Sequence, residues 1–284
     1  LTVAEVVAKI KADLTLAQTL IPASFNTRTR ITLPAVYAMQ ARTALYAKNW
    51  DDAITATTAA INAVPLETRV QYPQIWTDQS TAGVIWKHKR ETGGVRLGRT
   101  FYDDTQDKIV YGPSAELRNL FDAVNDIRYA TLVAQRGAGR FSLGKYVGGT
   151  ATEPGLADVK IFRTAEMYLI RAEAYAEKND LVNAANDLNF LRAARITGYT
   201  NVTFATKALA IDAVIEERFK ELAFEGQRMA DLRRKLLPVT RLAADAVNAF
   251  GAVTLNPTDK QYYFPIPNPE IQANPNIVQN PGYL

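Results

Sequence analysis

Apolar side chains recur at Val3, Val6, Val7, Ile10, Leu14, Ala17 and Leu20, with mostly polar residues between them. That spacing puts them on one face of a helix over residues 3–20. Thr2 and Glu5, three residues apart, read as a capping box at its start, and Pro22 closes it. A second helix is predicted from Thr32–Pro34, with the proline in its first turn, to about Lys48. A third runs from about Asp51 to Val64 and stops before Pro65. The helical period returns over 162–195 and over Leu209–Glu225, where Gly226 follows as a left-handed stop. A short basic helix is expected from about Met229 to Leu236. Ser114–Phe121 reads as another short helix, with Ser114 as its cap and Glu116 in the first turn.

Elsewhere the period fails. Val84-Ile85-Trp86 is a short β-prone run. Residues 92–113 are rich in Gly, Asp, Arg and aromatics and read as a loop excursion with two short strands. A loop of that length is often functional. Residues 136–158 form a second glycine-rich irregular stretch. The last thirty residues carry Pro257, Pro265, Pro267, Pro269, Pro275 and Pro281, so an extended segment without regular helix or sheet is expected there.

The helices pair by a recognisable grammar. Ala41, Trp50, Ala53, Ala60 and Pro65 occupy the small, aromatic, small, small and proline positions of a tetratricopeptide helix pair, with Trp50 plugging the turn. Ala172, Tyr175, Leu181, Ala184 and Leu191 repeat similar offsets. The turns Tyr46-Ala47-Lys48-Asn49 and Tyr175-Ala176-Glu177-Lys178-Asn179 also read alike. Such pairs stack on neighbours. The expected fold is therefore all-α, mainly helical. Tetratricopeptide-like pairs form a superhelical scaffold, with long irregular loops, a minor short-stranded excursion and a Pro-rich extended C-terminal tail. It reads as a single domain over 1–284. Its parts are a helical repeat (1–66), the loop-rich excursion (67–158), a helical repeat with a long helix (159–236) and a wrapped tail (237–284).

Composition narrows the chemistry. The 284 residues contain no cysteine and one histidine, His88, which removes thiolate catalysis, Cys-based zinc sites and multi-imidazole metal centres. His88 itself reads as a surface or satisfied residue. Phosphate-binding glycine loops are absent. Lys and Arg total 33 against 29 acids, scattered rather than run together, so no nucleic-acid partner is expected. No apolar stretch is long enough to span a membrane. The chain begins at Leu1 as if a preceding segment had been removed. Glu217, Glu221 and Glu225 lie at i, i+4 and i+8, and three like charges on one face need cations opposite. A di-iron carboxylate site would need histidine. The favoured reading is an ion-pair network with Arg163, Arg171, Arg218, Arg228, Arg233 and Arg234 as the available guanidiniums.

Several stretches, in order, resemble the SusD/RagB family. They are Arg163-Thr164-Ala165-Glu166-Met167-Tyr168-Leu169-Ile170-Arg171-Ala172-Glu173-Ala174, the run from Glu217-Arg218 through Phe224-Glu225-Gly226 to Leu232-Arg233-Arg234, Phe264-Pro265-Ile266-Pro267 and Gln279-Asn280-Pro281-Gly282-Tyr283. Asp126-Ile127-Arg128 and Lys145-Tyr146 are similar to shorter family motifs. The resemblance implies a non-enzymatic lipoprotein facing outward from a Bacteroidetes-type outer membrane. Its lipid anchor and further helices would lie before residue 1, outside this chain. It also implies delivery of a captured oligosaccharide or peptide to a SusC-like TonB-dependent transporter, without a cofactor or metal. The motifs themselves look like scaffold, and ligand specificity does not transfer.

Sugars stack on aromatic faces and are held at their edges by Arg, Asn and Asp. The excursion offers Arg96, Arg99, Phe101, Tyr102, Asp103 and Tyr111, with Asp104 adjacent and Trp76 and Trp86 flanking. Trp76 is counted with the ligand-binding set, whereas Trp86 and Tyr111 have a rival role as strand residues packed on the core. The alternative function is a tetratricopeptide-type adaptor that binds protein or peptide segments. A hydrolase is disfavoured, because the neighbours Asp103 and Asp104 would point to opposite faces of a strand.

Overall fold

The computed structural model describes residues 1–246 and 252–283. Contacts divide it into two units, Leu1–Pro113 with Leu117–Glu225, and Ser114–Glu116 with Gly226–Leu284.

The first unit opens with α1 (Val3–Leu20), whose capping box forms as expected: the Glu5 amide donates to Thr2 Oγ1 and the Thr2 amide to Glu5 Oε2. None of its residues is buried. α2 (Leu33–Tyr46) and α3 (Trp50–Ala63) form the first antiparallel pair. Ala38, Ala41, Ala53 and Ala60 are buried between the helices, and the missing side-chain bulk lets the backbones approach closely. Trp50 packs half-buried on this core at the head of α3.

α4 (Gln71–Trp76) and β1 (Val84–His88) follow. The sequence pattern did not indicate α4, because Pro73 reads as a breaker. It lies in the first turn, where a helix has no use for the missing N–H. The excursion carries the two expected short strands, β2 (Tyr102–Asp103) and β3 (Lys108–Ile109), paired antiparallel. α5 (Ala115–Asn119) is shorter than expected. α6 (Ile127–Leu132) was not expected; Asp126 caps it by accepting from the Arg128 amide. The glycine-rich stretch contains a hairpin of β4 (Val133–Gln135) and β5 (Phe141–Leu143). β6 (Val159–Arg163) pairs antiparallel with β1 and leads directly into α7 (Thr164–Glu177).

α7 packs on α3 and α8 (Leu181–Ala193), and also contacts α9 (Lys207–Glu221). α9 is displaced from its expected span. It ends at Glu221, and the chain turns over the next residues with Phe224 (φ 61°) and Gly226 (φ 80°) both left-handed. Glu225 therefore does not share the helix with Glu217 and Glu221. A second core gathers Tyr72, Ile75, Trp76, Leu117, Phe121, Leu132, Leu143 and Tyr146 under the excursion.

The second unit contains α10 (Arg228–Lys235), close to the expected basic helix, and a small hairpin of β7 (Val239–Thr240) with β8 (Thr254–Leu255). Asp245 accepts hydrogen bonds from the Ala115 and Glu116 amides within this unit. α11 (Asn268–Ala273) corrects the expectation of a tail without regular structure: Pro269 stands in its first turn, where proline starts a helix rather than breaking one. Of the expected tail, residues 247–251 and 284 lie outside the described residues.

Candidate functional site: a cleft between two irregular stretches

A cleft of about 240 Å³ opens in the first unit between the excursion and the stretch after β5. One wall carries Arg99, Tyr102 and Asp104, and the other Arg136, Lys145, Tyr146 and Pro154, with Leu143 and Val147 supplying apolar surface. Glycine holds the walls together. A Cβ on Gly98 would stand 2.6 Å from the Tyr146 carbonyl oxygen and 2.7 Å from Gly155 Cα. Without one, the Gly98 amide donates to the Gly155 carbonyl at 2.9 Å.

Tyr102 and Arg99 are fixed by polar contacts. The Tyr102 hydroxyl donates to Asp107 at 2.9 Å, and the Arg136 guanidinium lies 4.2 Å from the ring centroid. Arg99 Nη2 donates to Asp103 Oδ1 at 2.6 Å and to Thr105 Oγ1 at 2.8 Å, and its Nε lies 3.2 Å from Asp104. The Thr105 hydroxyl and Arg99 hold the Asp103 carboxyl well below the usual carboxylate range. Asp103 therefore stays ionised near neutrality and is a poor proton donor, which counts against acid catalysis here.

The predicted residues separate into groups. Arg99, Tyr102 and Asp104 line the cleft. Asp103 stands behind Arg99 as its partner. Arg96 reaches the Pro154 carbonyl at 3.4 Å and lies 3.9 Å from Asp104, bracing the wall. Phe101 faces the core, stacked on Tyr146 at 5.9 Å and edge-on to Phe224 at 5.5 Å. Tyr111 is 61% exposed and outside the cleft lining. Trp86 lies half-buried in the first core, stacked on Phe162. Trp76 requires correction as a ligand contact: it is 0% exposed, with Lys145 Nζ at 4.4 Å and the Arg163 guanidinium at 5.1 Å from its ring. Its face serves buried cations, not a sugar. His88 is exposed at the end of β1.

The residues of the second wall were not among the predicted ligand contacts. Arg136 and Pro154 sit in a stretch legible only as glycine-rich, and Lys145-Tyr146 reads as scaffold. The one hint is that a Gly-rich stretch carrying Arg and Tyr matches the composition of the excursion.

Beneath the cleft lies a buried ionic network. Arg195 bridges Glu67 at 2.6 Å and Glu221 at 3.0 Å. Arg163 bridges Glu221 and Glu225, each at 2.8 Å. Arg128 joins Asp126 at 2.7 Å, Glu217, and Glu221 at 3.3 Å, while Arg192 meets Glu217 at 2.6 Å. Lys145 links the network to the cleft floor, 2.8 Å from Glu225. Burial opposes ionisation of Glu221, yet Arg195, Arg163 and Arg128 hold its pKa well below the ordinary value. Arg128 and Arg192 likewise overcome burial at Glu217 and bring it down to about 2. At Glu67 burial wins and the pKa is raised. Of the guanidiniums expected opposite these acids, Arg163 takes that place; Arg171 pairs with Asp187 instead. Arg233 donates to the Tyr262 carbonyl and Arg234 to Asp231. Guanidinium saturation makes Glu221 a structural anion rather than a metal ligand.

A larger groove of about 410 Å³ lies among α1, α2 and α3, lined by Lys11, Gln18, Tyr37, Gln40, Asn49 and Asp52 among others. Two side-chain pairs bridge the helices, Lys11 with Asp52 at 2.6 Å and Gln40 with Gln18 at 3.1 Å, and Asn49 meets Asp52 at 2.7 Å at the start of α3. A peptide would have to displace these pairs.

The SusD family model matches residues 122–283. The starch-binding protein SusD of Bacteroides thetaiotaomicron is 31% identical over 140 residues, 47% of this chain and 23% of that protein. SusD-like protein P2 of Formosa agariphila is 33% identical over 135 residues, 43% of this chain and 25% of its own length. The matched stretch thus spans about a quarter of each curated relative. A solved SusD superfamily protein from Bacteroides thetaiotaomicron superposes with a TM-score of 0.86 at 25% identity, covering 99% of this chain and 67% of that one. A SusD-like carbohydrate binding protein from Bacteroides vulgatus superposes with a TM-score of 0.80 at 26% identity, covering 97% of this chain and 66% of that one. Helix pairs, motif order and a family match over more than half of the chain agree, and the chain belongs to the SusD family.

Proposed function

We propose that this protein captures a glycan or other oligomeric nutrient without chemical conversion. The ligand is held at the outer-membrane surface and passed to a SusC-like TonB-dependent transporter. The protein acts as a single family domain over 1–284, attached through a lipid anchor carried outside this chain. The observation that carries the reading is family membership, supported by the starch-binding and carbohydrate-binding relatives. A cleft that combines Tyr102 with Arg99 and Asp104 supplies the chemistry a sugar needs: an apolar ring face flanked by donors and acceptors. The volume suits one sugar unit of a longer chain, since pockets for drug-sized ligands begin at roughly 300 Å³. No described helix is long and apolar enough to cross a membrane. The adaptor reading is weaker, because the groove that would take a peptide is occupied by its own side-chain pairs.

Calorimetric titration of a panel of oligosaccharides into the chain, beside Tyr102→Ala, tests this. Saturable binding of one glycan class is expected, weakened roughly tenfold or more by the loss of the ring. Binding of peptides with no response to any glycan would remove the glycan reading and leave peptide capture or the adaptor.

A further inference from the structure

We infer that the cleft takes an acidic sugar, one bearing a carboxylate or a sulfate ester, and that Arg136 meets the acid. This rests on the glycan-capture reading above.

The inference follows from the pairing of charges around the cleft. Arg99 is answered by Asp103 at 2.6 Å and Asp104 at 3.2 Å, and Arg96 also approaches Asp104 at 3.9 Å. Arg140 is answered by Asp107 at 2.9 Å. Lys145 is turned inward to Glu225 and to the Glu221 and Ala223 carbonyls. Arg136 lines the same cleft and makes no ion pair among the described residues. Its position is nonetheless set. The Nε donates to Ser142 Oγ at 3.1 Å, the guanidinium lies over the Tyr102 ring, and its amide donates to the Arg140 carbonyl at 2.9 Å across the β4–β5 turn.

Holding Nε and the guanidinium plane leaves the two terminal nitrogens as an oriented fork. That fork matches two oxygens of a carboxylate or a sulfate. Leu143, Val147 and Pro154 line the cleft beside it and offer apolar contact to the rest of a sugar ring. Asp104 is the acid in the lining, and it is already satisfied by Arg99. Arg136, an oriented cation without an ion pair among the described residues, is the feature a neutral glycan would leave unused.

The test compares three probes of similar length by calorimetry: an oligogalacturonate, a sulfated carrageenan oligosaccharide and a neutral malto-oligosaccharide. One acidic probe should bind at least about tenfold more tightly than the neutral one, with affinity falling as salt is raised. Which acidic probe responds identifies carboxylate or sulfate. Arg136→Gln should reduce that affinity roughly 10- to 100-fold, and Arg136→Lys should retain part of it. Arg136 is exposed, so both variants should melt as the parent does. Equal binding of the neutral probe, sensitive to Tyr102→Ala and indifferent to Arg136→Gln, would overturn this inference and leave the capture reading standing. Binding of none of the three would overturn this inference, and the wider oligosaccharide panel would then decide the capture reading.

Discussion

At the scale of single residues, Glu221 shows how far a local pattern reaches. Its spacing from Glu217 announces that cations must lie opposite, and Arg163 was among those available. Arg128, Arg195 and the buried acid Glu67 were not legible, since Arg195 and Glu67 are 128 positions apart and only the fold brings them together. The carboxylate of Glu221 is shared by Arg128, Arg163 and Arg195. Glu221→Gln removes the anion and leaves three guanidiniums short of charge at a fully buried site. We expect a loss of about 3–5 kcal/mol in denaturant unfolding. A loss below about 1 kcal/mol would mean that the network relaxes around the amide. The candidate residues lining the cleft follow a similar rule. Aromatic and charged composition marked Arg99 and Tyr102, but composition says nothing about direction. Trp76, chemically the best sugar platform, points into the core beneath buried cations.

At the scale of elements, periodicity carried the long helices, and the alanine grammar carried the pairing of α2 with α3 and of α7 with α8. The misses are short. α4 and α6 have six residues each, too few turns for a period to declare itself, and α4 hides its start behind a proline. α11 hides in the same way, with Pro269 in its first turn. The opposite wall of the cleft was missed because a glycine-rich stretch has no period to read; its geometry comes from backbone contacts such as Gly98 to Gly155. Small residues make their own prediction on the repeat. α3 lies between α2 and α7, and Ala60 is fully buried in the core they share. Ala60→Leu adds three carbons at a fully buried position of that core. We expect about 1–3 kcal/mol of destabilisation, read as a lowered midpoint in urea with an unchanged slope. A stabilising effect would reveal a void in that core.

At the scale of the whole molecule, the ionic network ties segments from Glu67 to Glu225 into the first unit, so its titration should be felt as global stability. Folding lowers the pKa of Glu217, Glu221 and Glu225 from the ordinary 4.5, at Glu217 to about 2, because guanidinium and ammonium partners outweigh burial. A carboxylate with a depressed folded pKa binds protons less readily than its unfolded counterpart. Its contribution is therefore complete above the unfolded value and is lost as pH falls through the folded one. Glu67 runs the other way: its pKa is raised by burial, so protonation on acidification favours the folded state and offsets part of the loss. Three groups against one leave a net decline. The thermal midpoint should stay level from pH 7 to about 5 and then fall steadily between about pH 4.5 and 2. Glu217→Gln should be less stable at pH 7 and lose less on acidification, since the missing carboxylate no longer titrates. If the parent and the variant fell in parallel over that window, the acid lability would originate outside this network, and the depressed pKa of Glu217 would not be linked to folding.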